Sequence, residues 1–405
     1  MNRYATDRVL RLAVLLLCIG LAGCATTDAK KTATSNRIYF PEAPAAPRLQ
    51  FLLSFSDARA FTEAGKSNFS DWIVGTSPND ATSTRINGPY CLAVYHGKLY
   101  ITDVAAKKIH IIDVAAKQYA VLGAPEQVLN PVNIVIDADG TKYVCDTGKR
   151  MVQVFDANDK FVREIGQSER CSPRALAIVG QELYVCNEVN GTIEVWDRAG
   201  QLRRTFGRKG TGPDEFTTPT QIAVGKDGRL YITDMFLAMV KIFDTTGRFV
   251  GTIGMPGDVV GSFARPKGIA IDPKGLIYVT DAQWSVVQIF QPDGQLLLAF
   301  GAPGGDPSSL GMPAGVTIDA SSLELFRSYI DPQFNAEYLV FVVNQFGTVK
   351  ISLFAYGKAK NVDPKAYEID MEQVKKAREA LLAKQKAEEA DKARKGEATP
   401  QPTPP

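Results

Sequence analysis

An all-β, six-bladed β-propeller of four-stranded blades is the fold this 405-residue chain predicts. Three observations carry it. The pentapeptide LYITD occurs at Leu99–Asp103 and again at Leu230–Asp234. Looser copies lie between and beyond, as KYVCD (142–146), LYVCN (183–187), IYVTD (277–281) and a degraded VFVVN (340–344). Each copy follows a proline-led apolar run, at Pro89, Pro131, Pro173, Pro219, Pro266 and Pro313, that is, every 42 to 47 residues.

Within one repeat the elements follow in a fixed order. The proline-led run and the LYITD-like run are joined by turns such as DADG, GKDG or DPKG. A third run follows, such as KIHIIDV, MVQVFDA or VVQIFQP, and then a fourth, such as KFVREIG or QLLLAFG, often after DTTG or QPDG. Four short runs rich in Val, Ile, Tyr and Phe, punctuated by Gly turns that supply positive φ, read as an antiparallel meander. A period of about 40–50 residues per meander is that of a propeller blade, and radial packing of blades leaves only short edges. The sixth unit (first three strands 314–319, 338–344 and 348–354) lacks a fourth run. Pro47–Asp57, PRLQFLLSFSD, reads as the missing strand and closes the ring from the N-terminal side; a cysteine pair at 52 and 353 would report that closure.

The phrases PKGIAID, GLIYVTD, VQIF and AFG of residues 266–301 resemble the NHL repeat. The resemblance covers roughly residues 86–355. It implies the propeller and leaves function open, because NHL propellers include enzymes, scaffolds and binding modules.

The termini read differently. Residues 1–23 combine Arg3, Arg8 and Arg11 with the run LAVLLLCIGLAG, the layout of a secretory signal. Leu21-Ala22-Gly23-Cys24 resembles a bacterial lipobox. The resemblance implies cleavage before Cys24, acylation of that cysteine and, with Ala25 after it, an outer-membrane address with the propeller facing the periplasm or the exterior. Residues 24–46 read as a tether, 47–357 as the propeller, and 358–405 as a short charged helix followed by a Pro-rich disordered tail. The whole chain carries a formal charge of +2. The signal removes three Arg and one Asp, so the mature chain is near neutral, which argues against nucleic acid as a partner. The expected partners are the membrane, through the lipid, and an envelope protein.

Strand one begins and strand two ends at the same face of a propeller. That gathers Tyr90, Asn133, Arg174, Gln221 and Lys267 from first strands with Asp103, Asp146, Asn187, Asp234, Asp281 and Asn344 from second strands, a candidate ligand-binding rim. The repeated Asp fits two roles: accepting hydrogen bonds from its own turn, or, through Asp103, Asp146, Asp234 and Asp281, holding calcium. Arg174 and Lys267 depart from the repeat, and fit either an anion or a rim carboxylate. No cofactor is otherwise expected. The chain holds only two histidines, His96 and His110, both off the rim, so a three-histidine zinc is not supported. Cys91, Cys145, Cys171 and Cys186 permit three disulfide pairings, and the sequence selects none; Cys145 and Cys186, at equivalent places in adjacent blades, read rather as two small buried thiols. The expected function is a binding or scaffold propeller; the alternative is a calcium-dependent hydrolase or lyase working through the rim carboxylates.

Overall fold

A computed structural model describes residues 37–42, 45–62, 83–124, 127–166 and 171–360. Cys24, the apolar DWIVG of the linker at 71–75, and the charged C-terminal segment lie outside them.

Six antiparallel sheets appear, and five are consecutive four-stranded meanders: residues 89–121, 131–165, 173–206, 219–253 and 266–300. These are blades one to five. Blade six takes Pro313–Asp319, Phe334–Asn344 and Ile351–Ala359 in order, and its fourth strand is Leu49–Phe55 from the N-terminal side. Leu49 pairs with Tyr356, Leu53 with Leu353 and Phe55 with Ile351. The ring is therefore closed by the N-terminal strand, as the strand count requires. A bulge between Phe51 and Leu53 shifts the register, so that residue 53, not 52, faces Leu353.

Two boundaries move. Tyr39–Phe40 adds a short fifth strand outside Leu49–Phe55, so the propeller begins inside the stretch read as tether. The third strand of blade six runs to Ala359, past the 354 expected for that strand and past the propeller's expected end at 357. The long insertion after Asp319 forms a 3-10 turn, Leu323–Tyr329, that buries Phe326 against Phe61 and Phe341. Gln50 ties the same insertion to the closing strand: its side chain donates to Tyr329 O and accepts from Asp331 N. The insertion thus braces the closure.

The core lies between blades. Leu99, Ile101, Leu339, Phe341 and Leu353 form one cluster across blades six and one, and comparable clusters fill the other gaps. Each such side chain, fully buried, contributes about 1.5–3 kcal/mol relative to exposure. The Tyr of the LYITD phrase works at these seams. Tyr100 OH donates to Asp159 of blade two, Tyr184 OH to Thr245 O of blade four, and Tyr143 OH accepts from Arg198 of blade three. Tyr278 OH meets Tyr338 OH across blades five and six at 2.8 Å. These hydroxyls keep buried rings satisfied while fixing each blade to the next.

Candidate functional site

The closing Asp of the phrase is a clamp within its own blade. Asp146 accepts from four backbone N–H groups: Leu129 and Asn130 in the connection entering blade two, and Gly148 and Lys149 in the turn after the second strand, all at 2.8–3.0 Å. Asp103, Asp234 and Asp281 repeat the arrangement with Asn87, Gly88 and Ala106, with Thr217, Thr218 and Leu237, and with Ala264, Arg265, Gln283 and Trp284. Asn187 and Asn344 take the same place with one accepting oxygen; their amides donate to Glu194 and Ser352. All six side chains are fully buried. Backbone amides at one edge of every blade thus point at a carboxylate or amide oxygen, which satisfies donors that no strand ladder reaches.

That geometry gives the repeated Asp the first of its two roles, acceptance from its own turns. Asp103, Asp146, Asp234 and Asp281 are not assembled about one point; each spends both oxygens on its own blade. Among the described residues no group of three His, Cys, Asp or Glu side chains is placed to hold a metal ion.

Sequence reading missed the clamp's companion. The third strand carries one polar residue in an otherwise apolar run: His110, Gln153, Glu194, Lys241, Gln288 and Ser352. Gln153, Lys241 and Gln288 donate to carbonyls of the connection entering their blade, at Gln127, Gly212 and Ser262. His110, placed off the rim by the sequence reading, is buried with Nε2 3.2 Å from Asp103 Oδ2 and Nδ1 2.9 Å from Tyr119 OH. Burial lowers the His110 pKa, against the pull of Asp103. Burial also works to raise Asp103, but His110 and the amides of Asn87 and Ala106 prevail and hold it low. A polar residue inside a buried run was the available signal. His96 sits with Gly97 in a two-residue hairpin, both at positive φ, where turn geometry accounts for it.

The first-strand candidates do converge. Every first strand carries a register irregularity just after its proline, and bulges re-aim side chains. Tyr90, Arg174 and Lys267, from blades one, three and five, meet there. Arg174 Nη2 donates to Tyr90 OH at 2.9 Å, with the guanidinium 5.3 Å from the ring centroid; Lys267 Nζ lies 5.9 Å from the same centroid. One residue further along, Asn133 of blade two and Gln221 of blade four hydrogen-bond at 3.1 Å, and Asn133 Nδ2 reaches Cys91 Sγ at 3.4 Å. These contacts bridge the axis at that level. Burial, followed by the charges of Arg265 and Arg174, pushes Lys267 down to about 8. Burial raises the Tyr90 hydroxyl.

Cys91, Cys145, Cys171 and Cys186 are free thiols, all buried. Burial raises each of them, Cys171 to about 12, which makes them poor nucleophiles.

The same face carries an apolar surface that no repeat announced. Val189, Phe236, Met255, Val259, Val260 and Phe346 are 55–73 % exposed, and Trp284 is 42 % exposed. All lie in turns after second strands or in connections entering first strands, in blades three to six. The clamp fixes the backbone of these loops and leaves the side chains outside. Val189 follows Glu188, which lies 3.4 Å from Arg174 Nε; Phe346 follows Gln345, which accepts from Lys267 Nζ at 2.5 Å. The apolar surface and the axial cluster are therefore contiguous. On the opposite face, a cavity of about 360 Å³ is lined by Asp137, Tyr143, Arg163 and Arg198 among others; there Arg198 pairs with Asp137 at 2.5 Å.

Comparison with known proteins agrees on architecture. A family described as a 6-bladed beta-propeller matches residues 171–235 and, again, 226–296. No curated protein matches. A structural genomics protein of unknown function from Bacteroides thetaiotaomicron is 15 % identical, with a TM-score of 0.51 over 76 % of this chain and 75 % of that chain. A catalytically inactive virginiamycin B lyase from Staphylococcus aureus, solved with quinupristin, is 15 % identical, with a TM-score of 0.49 over 70 % of this chain and 85 % of that one. A chain of a nidogen/laminin complex is 17 % identical, with a TM-score of 0.46 over 55 % and 83 %. The chain is a six-bladed β-propeller with four-stranded antiparallel blades.

Proposed function

We propose that the protein is an NHL-type envelope lipoprotein, anchored through acylated Cys24, whose propeller is a rigid docking platform for a protein partner. The observation that carries this reading is the apolar surface of blades three to six. Six large apolar side chains more than half exposed on one face, beside a cationic axis, mark an interaction site in a chain whose core is otherwise well buried. The clamped loops hold that surface in place before the partner arrives, which lowers the ordering cost of binding.

Two measurements test it. The variant Phe236→Ser, Val260→Ser, Phe346→Ser should leave the unfolding midpoint within a few degrees of the parent, because these side chains touch little. From detergent-solubilised envelopes the parent should retain a stoichiometric partner that elutes with it, and the variant should lose that partner by at least about tenfold. Equal retention by both would sink the platform. Separately, Cys24→Ala should move the protein from the membrane fraction to the soluble fraction, since the acyl chains supply about 0.8 kcal/mol per buried CH₂; continued membrane retention would refute the anchor.

A further inference from the structure

We propose that Tyr90, Arg174 and Lys267 form a carboxylate-binding well on the axis of the clamp face, entered by an Asp or Glu side chain of the docked partner. Only the identity of the carboxylate's bearer rests on the platform reading; the well itself rests on the geometry that follows.

Lys267 is 8 % exposed and has no carboxylate partner among the described residues. Its ammonium group carries three donors, and its one hydrogen bond goes to the neutral oxygen of Gln345. Arg174 Nε is buried and has no hydrogen-bond acceptor. Glu188 stands 3.4 Å from it, close enough for ion pairing but not aligned for a hydrogen bond. Two cations therefore share one aromatic ring, and among the described residues a single carboxylate, Glu188 beside Arg174, pairs with either of them. Counted over the described residues the free well is positive by one charge, and Arg265, exposed beside it, adds to the field on Lys267. A buried cation without a counter-ion is costly, and the protein answers that cost by easing the proton off Lys267.

The missing partner is defined by this inventory. It is one negative charge, with oxygens able to accept from a guanidinium Nε and from an ammonium group, and it is small enough for a site whose floor is bridged by Asn133 and Gln221. A carboxylate meets all three conditions, with Arg supplying the planar donor edge. A phosphate dianion would bring a second charge that the well does not match. Glu188–Val189 and Gln345–Phe346 connect the well to the apolar surface, so an acidic side chain flanked by apolar residues would engage both together.

The test uses N-acetyl-glutamate α-methylamide, its neutral glutamine counterpart and inorganic phosphate as probes on protein labelled with ¹³C at lysine Cε. Lys267→Met identifies the Lys267 signal. The glutamate probe should shift that signal saturably and raise its titration midpoint by about one unit or more, because an adjacent carboxylate favours the charged form. Affinity should then fall by up to about tenfold per pH unit above 8, where the free well has lost its proton. Lys267→Met should weaken the glutamate probe by about tenfold or more. Tyr90→Phe, which keeps the ring, should retain measurable binding. The well is refuted by the absence of a saturable shift, by equal binding of the glutamine probe, or by a preference for phosphate. Probe binding that persists in the triple-Ser variant while partner capture is lost supports the well independently of docking. Partner capture that persists without probe binding removes the well and leaves the platform.

Discussion

A chain lacking residues 37–57 is expected to lose cooperative folding altogether. The segment supplies the fourth strand of blade six, and its pairing partners Ile351, Leu353, Phe354 and Tyr356 lie some 300 residues away in sequence. Leu49 and Phe55 are buried and contribute about 1.5–3 kcal/mol each. Phe51 packs edge-on against Phe354 with centroids 5.5 Å apart. Gln50 would also be lost, leaving Asp331 N and Tyr329 O without their partner. Together these losses approach the ~5–15 kcal/mol that holds a typical domain together. The exposed edge of Ile351–Ala359 would invite strand addition between chains. Near-ultraviolet circular dichroism and a thermal scan should show no sharp transition, and a synthetic peptide of residues 47–57 added in trans should restore part of it by β-augmentation. A truncated chain that melts sharply within a few degrees of the parent would show that the ring does not need this strand. The register offers a second check. Leu53 and Leu353 are directly opposed, and cross-strand Cα atoms about 4.5–5.5 Å apart fall within disulfide reach. The pair Leu53→Cys, Leu353→Cys should cross-link in the native state and not after unfolding.

Asp146→Ala should be the most damaging single substitution on the clamp face. Four backbone N–H groups would lose a charged acceptor in a fully buried place. Stranded buried donors cost about 1–3 kcal/mol each when nothing replaces the bond, although loop movement lets some of them reach water. A net loss of about 3–5 kcal/mol is expected, which lowers the unfolding midpoint by roughly 6–20 °C at about 2–4 °C per kcal/mol. Asp146→Asn should cost less, about 1–2 kcal/mol. Blades three and six already use Asn at this place, with a third-strand acceptor for the amide. Blade two has such an acceptor ready, since the buried Gln153 Oε1 lacks a partner. Calorimetry on the two variants decides the matter: a loss below about 1 kcal/mol for the Ala variant would mean that the carboxylate does not organise these loops.

The architecture was legible in the sequence because it is written six times. Proline marks each first strand, an aromatic residue in a short apolar run marks each second strand, and the missing fourth run of blade six pointed to Pro47–Asp57. Periodicity also led to the closing Asp, yet it could not tell a clamp from a ligand, since both demand an oxygen at one place per blade. The backbone amides of Leu129, Asn130, Gly148 and Lys149 make that distinction, and amides leave no trace in composition. His110 was passed over because it was compared with metal-binding histidines. Compared instead with Gln153 and Gln288, it shows the polar place on strand three. The apolar surface escaped for the opposite reason. Val189, Phe236, Trp284 and Phe346 stand where other blades carry Ala, Gly or Lys, so they look like loop noise until the fold places them on one side. Arg174 and Lys267 were visible as departures from the repeat and Tyr90 as a first-strand rim residue; their meeting on one ring depends on blades one, three and five facing a common axis.

The division between clamp and loop has an evolutionary corollary. What holds each loop is an oxygen on strand two binding backbone groups, and backbone groups are the same whatever the loop spells. Phe236, Met255 or Phe346 can change identity without touching the bonds that keep their loops in shape. Recognition on this face can therefore drift, or be redesigned, at almost no cost to folding: a new partner needs a new vocabulary in the loops, while the grammar of LYITD stays as it is.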